Sequence, residues 1–178
     1  IAMRLEVKEG KNGCVLINDS YNSDLASLDI ALDFMSRRSD DKGKKRTLIL
    51  SDMLETGQSG KLLYRQVAEL VHSRGVEKII GVGEEIRTAA ARFEIEKYFF
   101  RTTEELLESD LLAGLRNEVI LVKGSRAFHF DRISDRLELK VHETILEINL
   151  NALVDNLNYY RSKLKPETKM VCMVKASA

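Results

Sequence analysis

Three short polar segments carry the residues that could do chemistry. NDSYNSD (residues 18–24), SDMLETG (51–57) and VKGSR (122–126) each contain or directly follow the end of an apolar run. Polar residues that end a buried strand and precede a helix are where open α/β sheets bind their ligands. Their carboxylates, hydroxyls and cations suit a phosphate, a carboxylate or a magnesium ion.

The two acidic segments each have a binding and a structural interpretation. Asp19 and Asn22 bracket a strand-to-helix turn whose N–H groups could bind an anion, but such residues also favour turns and caps for local reasons. Asp52 and Glu55 could bind magnesium, a ribose hydroxyl or an ammonium group, or they could cap the helix predicted over 59–74. Both interpretations stay open from the pattern alone.

The basic segment surrounds a glycine with two cations and a hydroxyl. Lys123, Ser125 and Arg126 suit a phosphate or a carboxylate, since lysine and arginine donate charged hydrogen bonds to such groups. A lysine at the surface end of a strand is also common without any ligand. The pattern therefore leaves the function of this segment open as well.

The elements that must position these segments alternate along the chain. Apolar runs predict strands, and 3.6-residue periodicity predicts helices between them. The strands are expected near 3–8, 14–18, 47–50, 78–82, 98–100 and 119–122, and the helices near 25–35, 59–74, 84–93, 103–116 and 127–138. This order predicts a doubly wound, mostly parallel, Rossmann-like α/β sheet, with an antiparallel edge hairpin at Asn12-Gly13.

Parallel strands end on one side of a sheet, so the three segments should share one rim. We expect Asp19, Asn22, Asp52, Lys123 and Ser125 to lie together there. Residues on a rim rather than in the core should tolerate replacement by alanine without loss of the fold.

Charge and hydropathy narrow the classes of partner. The 178 residues carry 28 Lys and Arg and 28 Asp and Glu, a net charge of zero, which argues against bulk binding of nucleic acid or an anionic membrane. No apolar run approaches the roughly 20 residues of a membrane helix. No signal peptide is evident, so a cytoplasmic location is expected.

The three segments, in this order and on successive strand ends, resemble the C-terminal domain of the Mur ligases. The resemblance covers residues 3–138 and is closest to the branch that adds D-alanyl-D-alanine to UDP-N-acetylmuramoyl-tripeptide in peptidoglycan synthesis. Met3-Arg4-Leu-Glu is similar to the family's Gly-Arg-Leu-Glu. The middle motif departs from the usual Gly-Asp-Met-x-Glu-Leu-Gly at Ser51 and Thr56. The ligase domain is expected to span residues 1–140.

The resemblance implies roles for individual residues. Arg4 and Asp19 would lie near the phosphates and ribose of ATP, and Asn22 near the nucleotide. The incoming D-alanyl-D-alanine would be bound by a second group, namely Asp52, Lys123, Ser125 and Arg126. The family's P-loop and its lysine for the metal, which handle ATP and Mg²⁺, belong to an upstream ATPase domain. The chain is therefore expected to be a fragment that binds no cofactor and ligates nothing alone.

The tail, residues 141–178, resembles the start of alanine racemase. Its pattern predicts a strand over 144–150, a helix from Asn151 and a buried strand over 170–174. Lys175 matches the lysine that holds pyridoxal phosphate in that family. The resemblance implies a bifunctional ligase and racemase, with the tail inactive while the barrel is incomplete. Its apolar faces would pack against that barrel in the full-length protein, so here the segment is expected to fold back on the ligase domain, to pair with a second copy or to be disordered.

Two other classes of function are weaker. LILSDM (48–53) is similar to the phosphoacceptor strand of response-regulator receivers, with Asp19 as the acidic partner and Lys123 as the late lysine. Receivers have two adjacent acids and a proline after the lysine, whereas this chain has Asn18-Asp19 and Gly124. A non-catalytic interaction module is disfavoured by the three polar segments.

Overall fold

The computed structural model describes residues 5–19, 24–38, 43–53, 60–140, 148–171 and 173. The chain divides into two compact units, Ile1–Leu139 and Lys140–Ala178, and each is described by itself. In the described ranges no helix is long and apolar enough to cross a membrane.

The first unit is built on one six-stranded sheet. Its strands are β1 (Glu6–Glu9), β2 (Val15–Asp19), β3 (Lys45–Ser51), β4 (Lys78–Val82), β5 (Glu96–Phe100) and β6 (Glu118–Lys123). Their order across the sheet is β1-β2-β6-β3-β4-β5, and every neighbouring pair is parallel except β1 with β2. The mostly parallel α/β sheet with an antiparallel edge is therefore confirmed.

The edge hairpin depends on the Asn-Gly pair that predicted it. Asn12 and Gly13 have φ values of 54° and 73°, in the left-handed region that these two residue types tolerate best. The turn brings Glu9 opposite Val15 in the ladder between β1 and β2. A further bridge joins Gly10 to Glu138, so the hairpin is also tied to the end of the unit.

Helices cover both faces of the sheet. In the first unit they are α1 (Leu25–Ser36), α2 (Gly60–Ser73), α3 (Glu84–Thr88), α4 (Thr103–Glu108), α5 (Leu111–Gly114) and α6 (Asp131–Leu137). Alternate strand residues serve the two faces, as the pleat requires. Leu48 and Leu50 pack with α1, α2 and α3 in one core cluster, and Ile49 packs with α4, α5 and α6 in the other.

Three predicted helices are shorter than the periodicity suggested. The helix expected over 103–116 is two helices, α4 and α5, because Ser109 has an extended backbone at φ −78° and ψ 157°. The side chain of Thr102 caps α4. The helix expected over 84–93 ends as α3 at Thr88, and a 3₁₀ turn follows. The helix expected from 127 begins at Asp131, because His129 lies in the left-handed region at φ 50°.

The second unit contains one helix, α7 (Leu150–Ser162), among its described residues. The Asn149 side chain caps it by accepting a hydrogen bond from the Ala152 N–H at 3.1 Å. Its large apolar side chains are exposed. They include Leu150, Leu153, Val154, Tyr159 and Tyr160.

The strands predicted beside α7 are not found in the described part of the tail. Val171 is 92% exposed and Met173 is 88% exposed, and neither belongs to a strand, so the buried strand over 170–174 is wrong for these residues. A strand needs a neighbouring strand for its backbone hydrogen bonds, and no described segment of the tail provides one. Of the strand over 144–150, residues 144–147 lie outside the described residues and Leu150 is already helical.

Candidate active-site rim

The carboxyl ends of β2, β6 and β3 form one edge of the sheet, here called the rim. The β2–β6 register pairs Asp19 with Lys123, and the β6–β3 register pairs Lys123 with Leu50, so Asp52 lies two residues beyond the last pair. Ser125 contacts the end of β3 through Ser51. The prediction of a shared rim is confirmed for Asp19, Asp52, Lys123 and Ser125. Arg4, Asn22 and Lys175 lie outside the described residues.

A buried ion pair occupies the centre of the rim. Lys123 Nζ donates to Asp19 Oδ2 at 2.7 Å, and the side chains are 0% and 5% exposed. The reason for expecting these residues to be replaceable, that they lie on a rim rather than in the core, is contradicted by their burial. Both charges are enclosed by the protein, so removing one would take from the other the opposite charge that lies 2.7 Å away.

Asp24 fixes the start of α1 beside this pair. Its carboxylate accepts hydrogen bonds from the Ser27 N–H at 2.8 Å and from the Ser27 hydroxyl at 2.9 Å. The Asp24 N–H in turn donates to Ser27 Oγ at 3.4 Å, which completes a capping box. Partial burial opposes ionisation of Asp24. The hydrogen bonds from Ser27 and the positive charge of Lys123 outweigh that burial and lower the pKa of the carboxyl. The rim therefore holds a second carboxylate within the electrostatic reach of Lys123.

Asp52 joins two helices to the rim. It is 6% exposed, and its oxygens accept hydrogen bonds from the N–H groups of Glu85 at 3.1 Å and Ile86 at 2.8 Å, at the start of α3. The Tyr64 hydroxyl of α2 donates to Asp52 at 3.3 Å. Asp52 thus caps α3 rather than the helix over 59–74. Its substrate contact stays a prediction.

Close packing surrounds the Asp52 carboxylate. Gly83 has a φ of +131°, and a Cβ placed there would lie 2.2 Å from Asp52 Cγ, so only glycine fits. Burial and the charge of Asp52 raise the pKa of the Tyr64 hydroxyl, which therefore remains a hydrogen-bond donor. These contacts leave the carboxylate little freedom to move.

The Lys-Gly-Ser turn is held between a ring and a hydroxyl. A Cβ at Gly124 would lie 2.5 Å from Phe130 Cδ2, so the backbone passes directly against that ring. On the other side, the Ser125 N–H donates to Ser51 Oγ at 2.9 Å. Ser125 then begins a 3₁₀ turn over Arg126–Phe128, and Arg126 is exposed.

Two buried oxygen atoms near the rim make no hydrogen bond within the protein: Asn18 Oδ1 and Ser125 Oγ. Buried polar atoms in folded proteins nearly always have a partner, so such exceptions indicate a missing ligand or water. In the described ranges, no three His, Cys, Asp or Glu side chains come together to bind a metal ion. Beside the Lys123–Asp19 pair, the rim carries the hydroxyl of Ser125 and the exposed side chain of Arg126.

Sequence reasoning missed three residues of this site. In the sequence, Tyr64 is only one residue of a predicted amphipathic helix, and Asn18 is only the residue before Asp19. Ser51 was noticed only as a departure from a motif. For Asn18 and Ser51, the signal that could have indicated a role is a serine or asparagine inside an apolar strand, because such a side chain needs a hydrogen-bond partner.

Comparison with known proteins decides the family. The model of the Mur ligase glutamate ligase domain matches residues 3–126, most of the first unit. The chain belongs to the Mur ligase family. Two relatives are named UDP-N-acetylmuramoyl-tripeptide–D-alanyl-D-alanine ligase. The one from Rickettsia prowazekii is 31% identical over 67% of this chain and 26% of its own length. The one from Escherichia coli is 25% identical over 70% of this chain and 27% of its own.

Solved structures agree on the fold. MurF from Acinetobacter baumannii superposes with a TM-score of 0.61 at 21% identity, over 76% of this chain and 30% of that one. MurF ligase from Thermotoga maritima, solved in complex with ADP, gives a TM-score of 0.57 at 20% identity over the same shares. The chain thus covers less than a third of the length of each of these four proteins.

Proposed function

We propose that this Mur ligase domain is part of an ATP-dependent enzyme that adds D-alanyl-D-alanine to UDP-N-acetylmuramoyl-tripeptide in peptidoglycan synthesis. Relatives up to 31% identical carry that name. The observation that carries the proposal is the rim. There the Lys123–Asp19 pair lies beside a turn that holds a buried Ser125 Oγ without a partner and an exposed Arg126. The match to the ligase family also removes the reason to consider a receiver domain.

The proposed reaction forms one amide bond at the expense of one ATP. A carboxylate oxygen of the tripeptide attacks the γ-phosphorus of ATP, and ADP leaves. The amine of D-alanyl-D-alanine then attacks the acyl carbon, phosphate leaves with the C–O bond electrons, and the amine loses a proton. Cations and preorganised donors stabilise the charge that develops on phosphate and carboxylate oxygens.

The rim would serve the incoming dipeptide. Ser125 Oγ can donate to its carboxylate, and the Arg126 guanidinium can add a charged hydrogen bond. Lys123 would contribute positive charge from behind, since its ammonium is enclosed and held by Asp19. Asp52 would support this group by holding α3 and α2 against the rim.

The nucleotide would be shared with another domain. Arg4, Asp19 and Asn22 are proposed to lie near ATP when this domain closes on an upstream ATPase domain that supplies the P-loop and holds Mg²⁺. Of these three, Asp19 is described, and its carboxylate is oriented by Lys123 at 2.7 Å. A fixed, buried pair is suited to keeping a polar group in one place as two domains close.

The tail supports a second proposal, a fused alanine racemase. Lys175 would hold pyridoxal phosphate, which supplies the electron sink for racemisation when bound. The exposed apolar side chains of α7 fit a segment that packs against further structure. Full-length protein should gain a visible absorbance band with pyridoxal phosphate, and Lys175→Ala should abolish it while sparing ligation.

Ligation assays on the full-length enzyme test the main proposal. ADP release should depend on both UDP-N-acetylmuramoyl-tripeptide and D-alanyl-D-alanine. Arg126→Ala should raise the KM for the dipeptide roughly tenfold, because one charged hydrogen bond is lost. The matched control is Arg37→Ala, another exposed arginine, whose ion pair with Asp33 lies at the carboxyl end of α1, the end opposite to Asp24. Dipeptide-independent ADP release would contradict the proposal. Phosphorylation of Asp52 by a small phosphodonor would instead favour the receiver alternative.

A further inference from the structure

The end of β3 contributes a residue to the substrate site from inside the sheet. We propose that Ser51 is a positioning residue: its hydroxyl holds the backbone of Ser125 so that Ser125 Oγ faces the carboxylate of the incoming dipeptide. This inference rests on the proposed function. It adds a residue that never touches substrate, since Ser51 is 0% exposed.

Two hydrogen bonds fix the Ser51 hydroxyl in one orientation. Ser51 Oγ donates to the Asp52 carbonyl at 2.9 Å and accepts from the Ser125 N–H at 2.9 Å. A hydroxyl has one proton and two lone pairs, so it can do both at once. The bond to Asp52 orients the lone pair that receives Ser125.

This contact begins where the backbone ladder stops. The last register pair between β3 and β6 is Leu50 with Lys123, and the chain then leaves the sheet at Gly124. Beyond that pair, the side chain of Ser51 accepts the N–H that a backbone carbonyl would accept in a continued ladder. The turn is therefore fixed by one hydroxyl and by the contact of Gly124 with the Phe130 ring.

Ser125 is consequently ordered through its backbone while its own hydroxyl makes no bond. Ser125 begins the 3₁₀ turn over Arg126–Phe128, yet its side chain does not cap that turn, and Ser125 Oγ is buried without a partner. An alanine or glycine at position 51 would leave the Ser125 N–H without its acceptor. The turn could then relax, and Ser125 Oγ could satisfy itself locally instead of facing a ligand.

Steady-state kinetics of the full-length ligase distinguish positioning from simple stability. Ser51→Ala should raise the KM for D-alanyl-D-alanine about three- to tenfold, the effect of one hydrogen bond. The KM for ATP and kcat should change less than twofold. Ser51→Thr, which retains the hydroxyl, should restore the wild-type KM. The matched control is Ser134→Ala, a buried serine of α6 whose hydroxyl has no partner, and it should change neither KM.

A second measurement follows the contact itself. In the 178-residue chain, hydrogen exchange of the Ser125 amide should be at least about tenfold faster in Ser51→Ala than in wild type, and unchanged in Ser134→Ala. An unchanged dipeptide KM in folded Ser51→Ala, or an equal rise in Ser51→Thr with a wild-type Tm, would overturn the role of Ser51 alone. Absence of dipeptide-dependent ligation in the wild type would instead overturn the proposed function.

Discussion

Strand β6 has a buried charged residue at each end. The two ends differ in whether the buried polar atoms around that residue all have hydrogen-bond partners. At the amino end, Glu118 Oε1 accepts from Lys78 Nζ at 2.7 Å, and Glu118 Oε2 accepts from the Thr47 hydroxyl. Lys78 also lies 3.5 Å from a Glu96 oxygen, and Glu96 pairs with Lys45. Each charge in this amino-end network has a protein partner.

At the carboxyl end, Lys123 is paired with Asp19, but polar atoms beside them are not satisfied. Asn18 Oδ1 and Ser125 Oγ are buried and make no hydrogen bond. Burying an unpaired polar atom costs free energy, so the two ends differ in their contribution to stability. The amino end satisfies its own charges, whereas the carboxyl end leaves two polar atoms unsatisfied, one of which, Ser125 Oγ, is the proposed donor to the dipeptide.

The largest expected effects come from neutralising one charge at each end. Glu118→Gln and Asp19→Asn should each lower the free energy of unfolding of the chain by about 3 to 5 kcal/mol, because each removes the carboxylate that lies 2.7 Å from a buried ammonium. Urea unfolding measures this loss. In the full-length ligase, only Asp19→Asn should also reduce the ligation rate per folded molecule, by about 100-fold or more.

These two variants also test whether the two ends of β6 differ in function. If Glu118→Gln reduces ligation per folded molecule as strongly as Asp19→Asn does, the two ends do not differ in function. Circular dichroism and a melting curve on each variant give the folded fraction needed for that correction.

An intermediate loss of stability is expected when a side-chain atom is added beside Asp52, directly after the carboxyl end of β4. Gly83→Ala should lower the free energy of unfolding by about 2 to 4 kcal/mol, because its Cβ would overlap Asp52 at a φ of +131°. Gly114→Ala is the matched control, since a Cβ there has nothing within 4 Å and alanine favours the helix α5. Thermal unfolding compares the two. A Gly83→Ala chain as stable as wild type would show that Asp52 is not held rigidly.

The smallest effect should come from the cap of α1, and it should depend on pH. Asp24→Ala should cost about 1 kcal/mol at pH 7, because the capping hydrogen bonds are lost. The folded pKa of Asp24 is lowered, so the stabilisation from its ionised form is present above the unfolded pKa of about 3.9 and is lost as pH falls through the folded value.

Asp24→Asn sharpens that measurement, because asparagine keeps a capping oxygen without the charge. The stability difference between wild type and Asp24→Asn should therefore shrink when unfolding is measured at pH 3 instead of pH 7. A difference that grows toward acid would mean that the pKa of Asp24 is not lowered in the folded chain.

The sequence alone determined the features that depend on neighbouring residues. Short apolar runs at Thr47–Leu50 and Val119–Val122 predicted strands, the Asn12-Gly13 pair predicted the hairpin, and the periodicity from Leu25 predicted α1. Parallel strands end on one side, so a common rim followed from the order of the elements. These inferences succeed because propensity and periodicity act over a few residues.

Only the tertiary structure decided which groups meet at that rim. Asp19 and Lys123 are 104 residues apart, and they pair because β6 lies between β2 and β3. That strand order is set by packing over the whole sheet, and no local pattern encodes it. The same order buried both charges, placed Ser51 under Ser125 and gave Asp52 to the start of α3. In the tail, helix α7 follows from its own periodicity, but a strand needs a partner, so the pattern at Val171 and Met173 could not produce one by itself.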